Sequence, residues 1–326
     1  MTLGLRGLIG GRLVAGCLAT ALLSVLAGCA TLPDVKPFTD ATVSLRSAVA
    51  SGGAATVAEL GRVDNPGVKA EADKLAKAWE ERDKLFAALI AYASSLQAIV
   101  DSGSAGAESA KALADAVTKL ASAANIVQPG AGPAVDVASQ TAVFVYEQIA
   151  KIRAAVSLEA ALTEAQPAIE RIAQAMSKDM KALDDLVRLA SKAQTDAIRI
   201  ENQARLSYRA SLTQSREVLM KRMGNALDQN QKPTQLADAG ELKRADELLQ
   251  AADAWYQPLD AQLKEIANRE KVARQLIAET QVALQDWAVA HGQVLSAVRT
   301  RRPPSVAELT DAAQRIRDLV QKYRNL

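Results

Sequence analysis

The sequence predicts an all-α protein: an elongated helical bundle with a long antiparallel, coiled-coil-like hairpin. Aromatic residues make up only 3% of the 326 residues, whereas alanine, the strongest helix former, recurs throughout the chain. Apolar residues recur at steps of three and four over many turns, which is the spacing of an amphipathic helix. Runs of alternating β-branched residues, which half-buried strands would need, are missing.

The first 28 residues have the organisation of an export signal peptide. Arg6 and Arg12 form a basic start, and an apolar run follows over residues 13–27. The run ends in Leu26-Ala27-Gly28-Cys29, which resembles the lipobox of bacterial lipoproteins. The resemblance implies that cleavage leaves Cys29 as the lipidated first residue, held on a membrane by acyl chains. An uncleaved membrane anchor is the alternative, since residues 13–32 are about long enough to span a bilayer.

The residues after the lipobox predict which membrane carries the protein. In the lipoproteins that this segment resembles, an aspartate after the cysteine retains the product in the inner membrane, and here that residue is Ala30. The resemblance therefore favours the outer membrane, facing the periplasm, over the inner membrane. Residues 29–38 are expected to hold the lipidated cysteine and a tether. Within them the stretch Thr31 to Pro37, which contains Pro33 and Pro37, should be extended over roughly 25 Å.

Charge and cysteine content argue against several functions. Removing residues 1–28 removes Arg6, Arg12 and no acidic residue, so 39 basic residues become 37, against 37 acidic ones. A net charge near zero argues against a nucleic-acid partner. Cys17 leaves with the signal peptide and Cys29 carries lipid, so no free thiol remains for disulfides, redox chemistry or metal binding. We therefore expect no cofactor and no metal site.

Residues 39–166 are expected to form the bundle portion. The predicted helices cover residues 39–50, ended by Ser51-Gly52-Gly53; 66–101, with Asn65 as N-cap; 107–124; and 133–164. The last of these contains an uncharged stretch, Val137 to Tyr146. A membrane-inserting hairpin is one interpretation of that stretch, but its length favours a buried helix.

Residues 167–302 are expected to form the long hairpin. Thr163 and Gln166 resemble a capping box for a helix over residues 167–229, and a second helix covers residues 238–302. The second helix carries a strict 3-4 spacing of seventeen positions, here called the seam: 242, 245, 249, 252, 256, 259, 263, 266, 270, 273, 277, 280, 284, 287, 291, 294 and 298. Pro258 predicts a kink or a break in it. Residues 303–326 are expected to form a final helix, capped by Ser305 and Glu308, that packs back on the bundle.

Few residues have the chemistry of a catalytic or binding site. His291 is the single histidine, and a hydrogen-bonded packing role is favoured over metal binding, because residue 288 is Ala where a helical di-metal site needs Glu. Glu108-Ser109 is similar to the catalytic pair of lytic transglycosylases but lacks the continuation of that family. Core packing is favoured over a ligand cage for the three tryptophans, and a solvated face over an anion site for the arginines: Trp79, Trp255, Trp287, Arg199, Arg205, Arg209 and Arg216.

These observations predict a non-enzymatic envelope lipoprotein that acts as a periplasmic helical scaffold or interaction module. Its expected partners are a membrane, through lipid on Cys29, and an unidentified envelope protein; a homo-oligomer stays open. The hairpin tip, residues 230–237, is the expected protein contact, since loops on rigid supports often bind partners. The alternatives are a carrier holding an apolar ligand beside Val137 to Tyr146, and a peptidoglycan lytic transglycosylase using Glu108.

Overall fold

The computed structural model describes residues 32–61, 65–124, 135–228 and 235–326. These residues form eight helices and no strand, which confirms the all-α prediction. The predicted signal peptide, Cys29 and the loop at the hairpin tip lie outside the described residues. The helices are α1 (Lys36–Leu60), α2 (Pro66–Asp101), α3 (Ala107–Ala123), α4 (Val135–Ala154), α5 (Leu158–Glu201), α6 (Gln203–Asp228), α7 (Gln235–Thr300) and α8 (Ala307–Arg324).

Helix α1 continues through Gly52 and Gly53, where the sequence predicted a break. Both glycines are buried, and a Cβ at residue 53 would lie 2.5 Å from Cδ2 of Trp79. A Cβ at residue 52 would collide with the side chain of Leu276. The prediction was wrong because glycine costs a helix only about 1 kcal/mol relative to alanine, and here the missing side chains allow close helix packing.

Helix α1 also begins earlier than residue 39. Val35 has 0% exposure, and α1 starts at Lys36 with Pro37 in its first turn. Pro33 is buried, and Leu32 packs partly buried against the main core. The predicted tether is therefore shortened: the described chain is already packed on the bundle from Leu32 onwards.

Helix α2 begins as predicted, because Oδ1 of Asn65 accepts hydrogen bonds from the backbone N–H groups of Gly67 and Val68. Among the described helices, α2 is the one with the length and apolar composition of a membrane span. Leu75, Leu89 and Leu96 on its apolar face have 0% exposure. Because this helix packs against α1, α3 and α5, its composition is that of a core helix.

The boundary between α4 and α5 differs from the prediction of one helix over residues 133–164. Helix α4 ends at Ala154, and Ser157 caps α5 by accepting a hydrogen bond from the N–H of Ala160. Helix α5 then runs through Pro167. Thr163 donates its hydroxyl proton to the carbonyl of Glu159 instead of capping a new helix.

Helices α5 and α6 run antiparallel to α7 and form the predicted hairpin. In the residue pairs that cross the interface, the residue number on α7 falls as the residue number on α5 or α6 rises. The pairs are Glu159–Arg299, Ser177–Gln281, Asp184–Arg274, Arg209–Asp253 and Arg216–Asp246. Asn202 separates α5 from α6, which the sequence predicted as one helix, and its side-chain amide donates to the carbonyl of Ile198.

Helix α7 has 66 residues and is therefore about 100 Å long. All seventeen seam positions are buried or half-buried, as the 3-4 spacing predicted. The helix is not broken at Pro258. Near its carboxyl end α7 buries further positions beside the seam, such as Leu276, Ala283 and Ala290, because several helices surround it there.

The last helix, α8, packs on α1 and α7, as expected for the residues after 302. The predicted capping box is wrong: Val306 is the N-cap residue and makes no side-chain cap hydrogen bond. One large core joins α1 to α5, the carboxyl half of α7 and α8. Helix α6 contacts only α7 and the end of α5 among the described helices. We call residues 203–228 and 235–259 the arm.

Candidate functional sites

The single histidine lies in a closed hydrogen-bond network. His291 has 0% exposure; its Nε2 lies 2.7 Å from the Tyr92 hydroxyl and its Nδ1 2.6 Å from Oε1 of Gln166. The amide nitrogen of Gln166 donates to the carbonyl of Ala288, which fixes the amide with its oxygen towards the ring. Because an amide oxygen only accepts, Nδ1 carries the proton and Nε2 accepts from Tyr92.

Burial decides the charge of this network. Desolvation lowers the pKa of His291 to about 3, so the imidazole is neutral at physiological pH. The same burial raises the pKa of the Tyr92 phenol. Both ring nitrogens are engaged, which leaves neither free to hold a metal or accept a substrate proton. The hydrogen-bonded packing role predicted for His291 agrees with this geometry.

The three tryptophans do not come together. Trp287 lies in the core, 5.7 Å from Phe38 and 5.8 Å from Tyr92 between ring centroids, and its indole N–H donates to Thr42. Trp79 packs on Gly53 of α1, which lies about 16 Å along that helix from Thr42. Trp255 is half-buried on the arm. They therefore form no common ligand cage.

The Glu108-Ser109 pair lies at the start of α3. Glu108 is exposed, while Ser109 is buried and donates its hydroxyl proton to the carbonyl of Ser104. A shallow groove of about 490 Å³ passes over the pair between α2 and α3. A glycosidase acid is usually kept protonated by burial in an apolar pocket, and Glu108 has no such surroundings. Within the described ranges, no three metal-ligating side chains cluster.

An apolar groove of about 310 Å³ lies between α1 and α2. Small residues, including Gly53, Ala54 and Ala76, open it, and Trp79 and Phe86 form its wall. Asp83 stands at its rim, paired in a two-point contact with Arg46. The alternative carrier site that the sequence suggested lies elsewhere, beside Val137 to Tyr146, and the side chains of residues 135–141 lie outside the described part of the structure.

In the arm, ion pairs take the place of some apolar contacts between α6 and α7. Arg209 and Arg216 are half-buried at α6 positions facing α7 and pair with Asp253 and Asp246. The guanidinium of Arg209 also lies 3.8 Å from the centroid of the Tyr256 ring. The sequence predicted a solvated face for these arginines, and it missed their cross-helix partners because only the hairpin brings residues 30 to 44 positions apart together.

Three loops meet at the end of the bundle where α7 stops. The N–H of Leu158 donates to the carbonyl of Ala105, and Arg299 pairs with Glu159 at 2.9 Å. We call the loops 102–106, 155–157 and 301–306 the basal end. Helix α1 starts at the same end, because Phe38 lies against His291, whereas Glu59, near the other end of α1, pairs with Arg269.

No family model, curated protein or solved structure matches the chain.

Proposed function

We propose that the chain is a non-enzymatic lipoprotein of the cell envelope, lipidated on Cys29 in the outer membrane, that acts as a periplasmic helical scaffold. The observation that carries this proposal is the direction in which α7 runs through the molecule. Its carboxyl end belongs to the basal end, beside the start of α1, and its amino end belongs to the arm, about 100 Å away. A lipid on Cys29 would therefore anchor the molecule at the end opposite the arm, so the arm could reach a partner up to about 100 Å from the anchor.

The arm has the construction of a projecting interaction module. Helix α6 has no described neighbour except α7 and the end of α5, so most of its outer surface is open to a partner. Several apolar side chains are exposed there, including Val218 and Met220 on α6 and Leu248 on α7. We propose that the distal part of the arm contacts an envelope protein; a second copy of this chain is the alternative occupant.

Photo-crosslinking in intact cells tests the scaffold. A photoreactive residue at Met220, which is 47% exposed in the distal arm, should capture a specific protein. The same residue at Val282, which is 43% exposed on the part of α7 that belongs to the bundle, serves as the matched control. Capture at Val282 alone, or at neither position, would contradict an arm contact. Mass spectrometry of the N-terminal peptide tests the anchor separately: it should begin at an acylated Cys29, and Cys29→Ser should prevent maturation.

The groove between α1 and α2 favours a second candidate function, a carrier of a small apolar ligand. Its volume of about 310 Å³ is at the lower limit of ligand pockets. Native mass spectrometry of protein extracted from its host membrane should then show a bound small molecule. Ala54→Trp, which fills the groove from an exposed α1 position, should abolish it. If neither protein shows a bound small molecule, the carrier proposal is contradicted and the scaffold proposal is unaffected.

A further inference from the structure

The basal end is the strongest remaining candidate for an interaction surface. Its three loops contain two arginines, Arg301 and Arg302, and no acidic residue. Both arginines are exposed, and neither forms an ion pair with a described residue. The neighbouring Arg299, by contrast, is paired with Glu159. Exposed acidic residues lie close by on the adjoining helices, Asp101, Glu108 and Glu308, so Arg301 and Arg302 are the charged side chains of the loops themselves.

The same surface carries an exposed apolar side chain. Val156, between α4 and α5, is 81% exposed, more than any other large apolar residue of the described part. A single exposed valine is common on protein surfaces and would mean little alone. Here it lies in the loop beside Ala105 and Leu158, at the end of the bundle that also holds the arginines.

The backbone of Arg301 adds an independent observation. Arg301 has φ of +58° and is the only described residue other than glycine with a positive φ. This left-handed conformation follows the end of α7, where glycine is the usual residue. The local backbone thus does not account for an arginine at this position, although a cation also suits the negative end of a helix dipole.

The chain between Cys29 and Leu32 is short enough to indicate that a membrane lies next to the basal end. Only Ala30 and Thr31 lie between Cys29 and Leu32, which already packs on the bundle core. Three residues span at most about 10 Å. Helix α1 starts close to the basal end, since Thr39 bonds to Ala93 and α2 continues only eight residues beyond Ala93. An acylated Cys29 thus keeps Leu32 and the bundle core around it within about 10 Å of the residue that carries the lipid.

We propose that the basal end docks on the membrane surface, with Arg301 and Arg302 on anionic phospholipid headgroups and Val156 at the headgroup boundary. The occupant is the lipid surface that holds the anchor, so the inference rests on the proposed lipidation of Cys29. Docking fixes the direction of the arm: α7 then stands away from the membrane instead of lying along it. Each arginine near an anionic surface favours the docked state about five-fold.

Depth-dependent fluorescence quenching tests the docking. In the mature lipoprotein the thiol of Cys29 carries the diacylglycerol, so a cysteine introduced as Val156→Cys is the single site for an environment-sensitive dye. The lipidated protein is placed in phosphatidylethanolamine–phosphatidylglycerol vesicles containing lipids with nitroxide headgroups. The dye at residue 156 should be quenched, whereas a dye on Leu248→Cys, 40% exposed on the arm, should not.

Charge removal separates docking from anchoring. Arg301→Gly with Arg302→Ser should reduce the ratio of docked to undocked protein by more than ten-fold, without loss of folding, because glycine suits the left-handed backbone. Arg244→Ser with Lys264→Ser removes two exposed charges from elsewhere on α7 and should change nothing. Quenching at residue 156 that equals that at residue 248, on vesicles that still float with an acylated Cys29 protein, overturns the docking alone. An unacylated Cys29 overturns the lipoprotein proposal together with it.

Discussion

Gly53 of α1 lies directly beneath the indole of Trp79 on α2, with no room for a side chain between them. A Cβ on residue 53 would lie 2.5 Å from Cδ2 and 2.7 Å from Cε3 of the ring. Trp79 itself belongs to the core, since it is only 7% exposed. The glycine pair that punctuates the sequence is therefore a contact point between two core helices.

Gly53→Ala should destabilise the protein by about 1–3 kcal/mol, the usual cost of forcing an extra group into a packed core. This outcome opposes helix propensity, which favours alanine by about 1 kcal/mol. Gly224→Ala is the matched control, since a Cβ there meets nothing within 4 Å, and it should be neutral or stabilising. Urea unfolding gives both free energies; an unchanged stability of Gly53→Ala would contradict the packing described.

His291 should show no titration between about pH 5 and 8. Its folded-state pKa is lowered to about 3 by burial, against an ordinary value of 6.5. Because it is the only histidine, its ring signals in a nuclear magnetic resonance spectrum need no assignment. A chemical-shift midpoint near pH 6.5 in the folded protein would show that the imidazole is accessible to water.

The same burial predicts how stability depends on pH. The pKa is lower in the folded state, so the unfolded chain takes up the proton first, and stability falls as pH decreases from about 6.5 towards 3. Between pH 7 and 5 this amounts to about 2 kcal/mol. His291→Gln lacks the titrating group, so its free energy of unfolding should change less over this interval. Equal slopes for the two proteins would refute the assignment.

Hydrogen exchange should separate the arm from the bundle. Helix α6 packs against α7 and the end of α5, and a small apolar cluster supports it where the arm joins the bundle: Ile198, Leu259 and Ile266 with Leu206, Tyr256 and Leu263. Regions with few buried contacts open locally before the whole protein unfolds. Amides of α6 should therefore exchange faster than those of α2, measured by mass spectrometry of peptides. Equal protection would mean that something else covers the arm.

The contact between Arg209 and Tyr256 should stabilise the base of the arm. The guanidinium carbon lies 3.8 Å from the ring centroid, a distance at which a cation–π contact contributes about 0.5–2 kcal/mol. A double-mutant cycle with Arg209→Ala and Tyr256→Ala should give a coupling free energy in that range. The exposed pair Lys243–Glu247, 3.9 Å apart, is the control and should couple by less than about 0.5 kcal/mol.

Small-angle scattering should report an elongated molecule. A compact domain of about 300 residues has a radius of gyration near 19 Å, whereas a body as long as α7, about 100 Å, has one near 30 Å. The measurement is made on residues 30–326 after separating monomer by size exclusion. A monomer near the compact value would mean that the arm folds back on the bundle.

The sequence by itself determined the secondary structure of most of the chain and the face that each helix buries. The seam of α7 is the clearest case: strict 3-4 spacing places Leu259, Leu284 and Val294 on one side, and that side is buried. The Asn65-Pro66 start of α2 was equally visible, because a cap is a local interaction between residues two and three positions apart. Periodicity and this cap are short-range properties that one sequence shows, whereas the two predicted capping boxes, at Thr163 and Ser305, did not form.

Only the tertiary structure decided the features that depend on a distant residue. Gly52 and Gly53 lie within a helix because Leu276 and Trp79 approach there, and Pro167 lies within α5 because the surrounding bundle packs a continuous helix. The partners of His291, Arg209 and Arg216 come from positions 30 to 199 residues away. Local propensities of about 1 kcal/mol are smaller than the packing free energies of a core, so tertiary contacts override them. The direction of the arm relative to Leu32 also follows from packing alone.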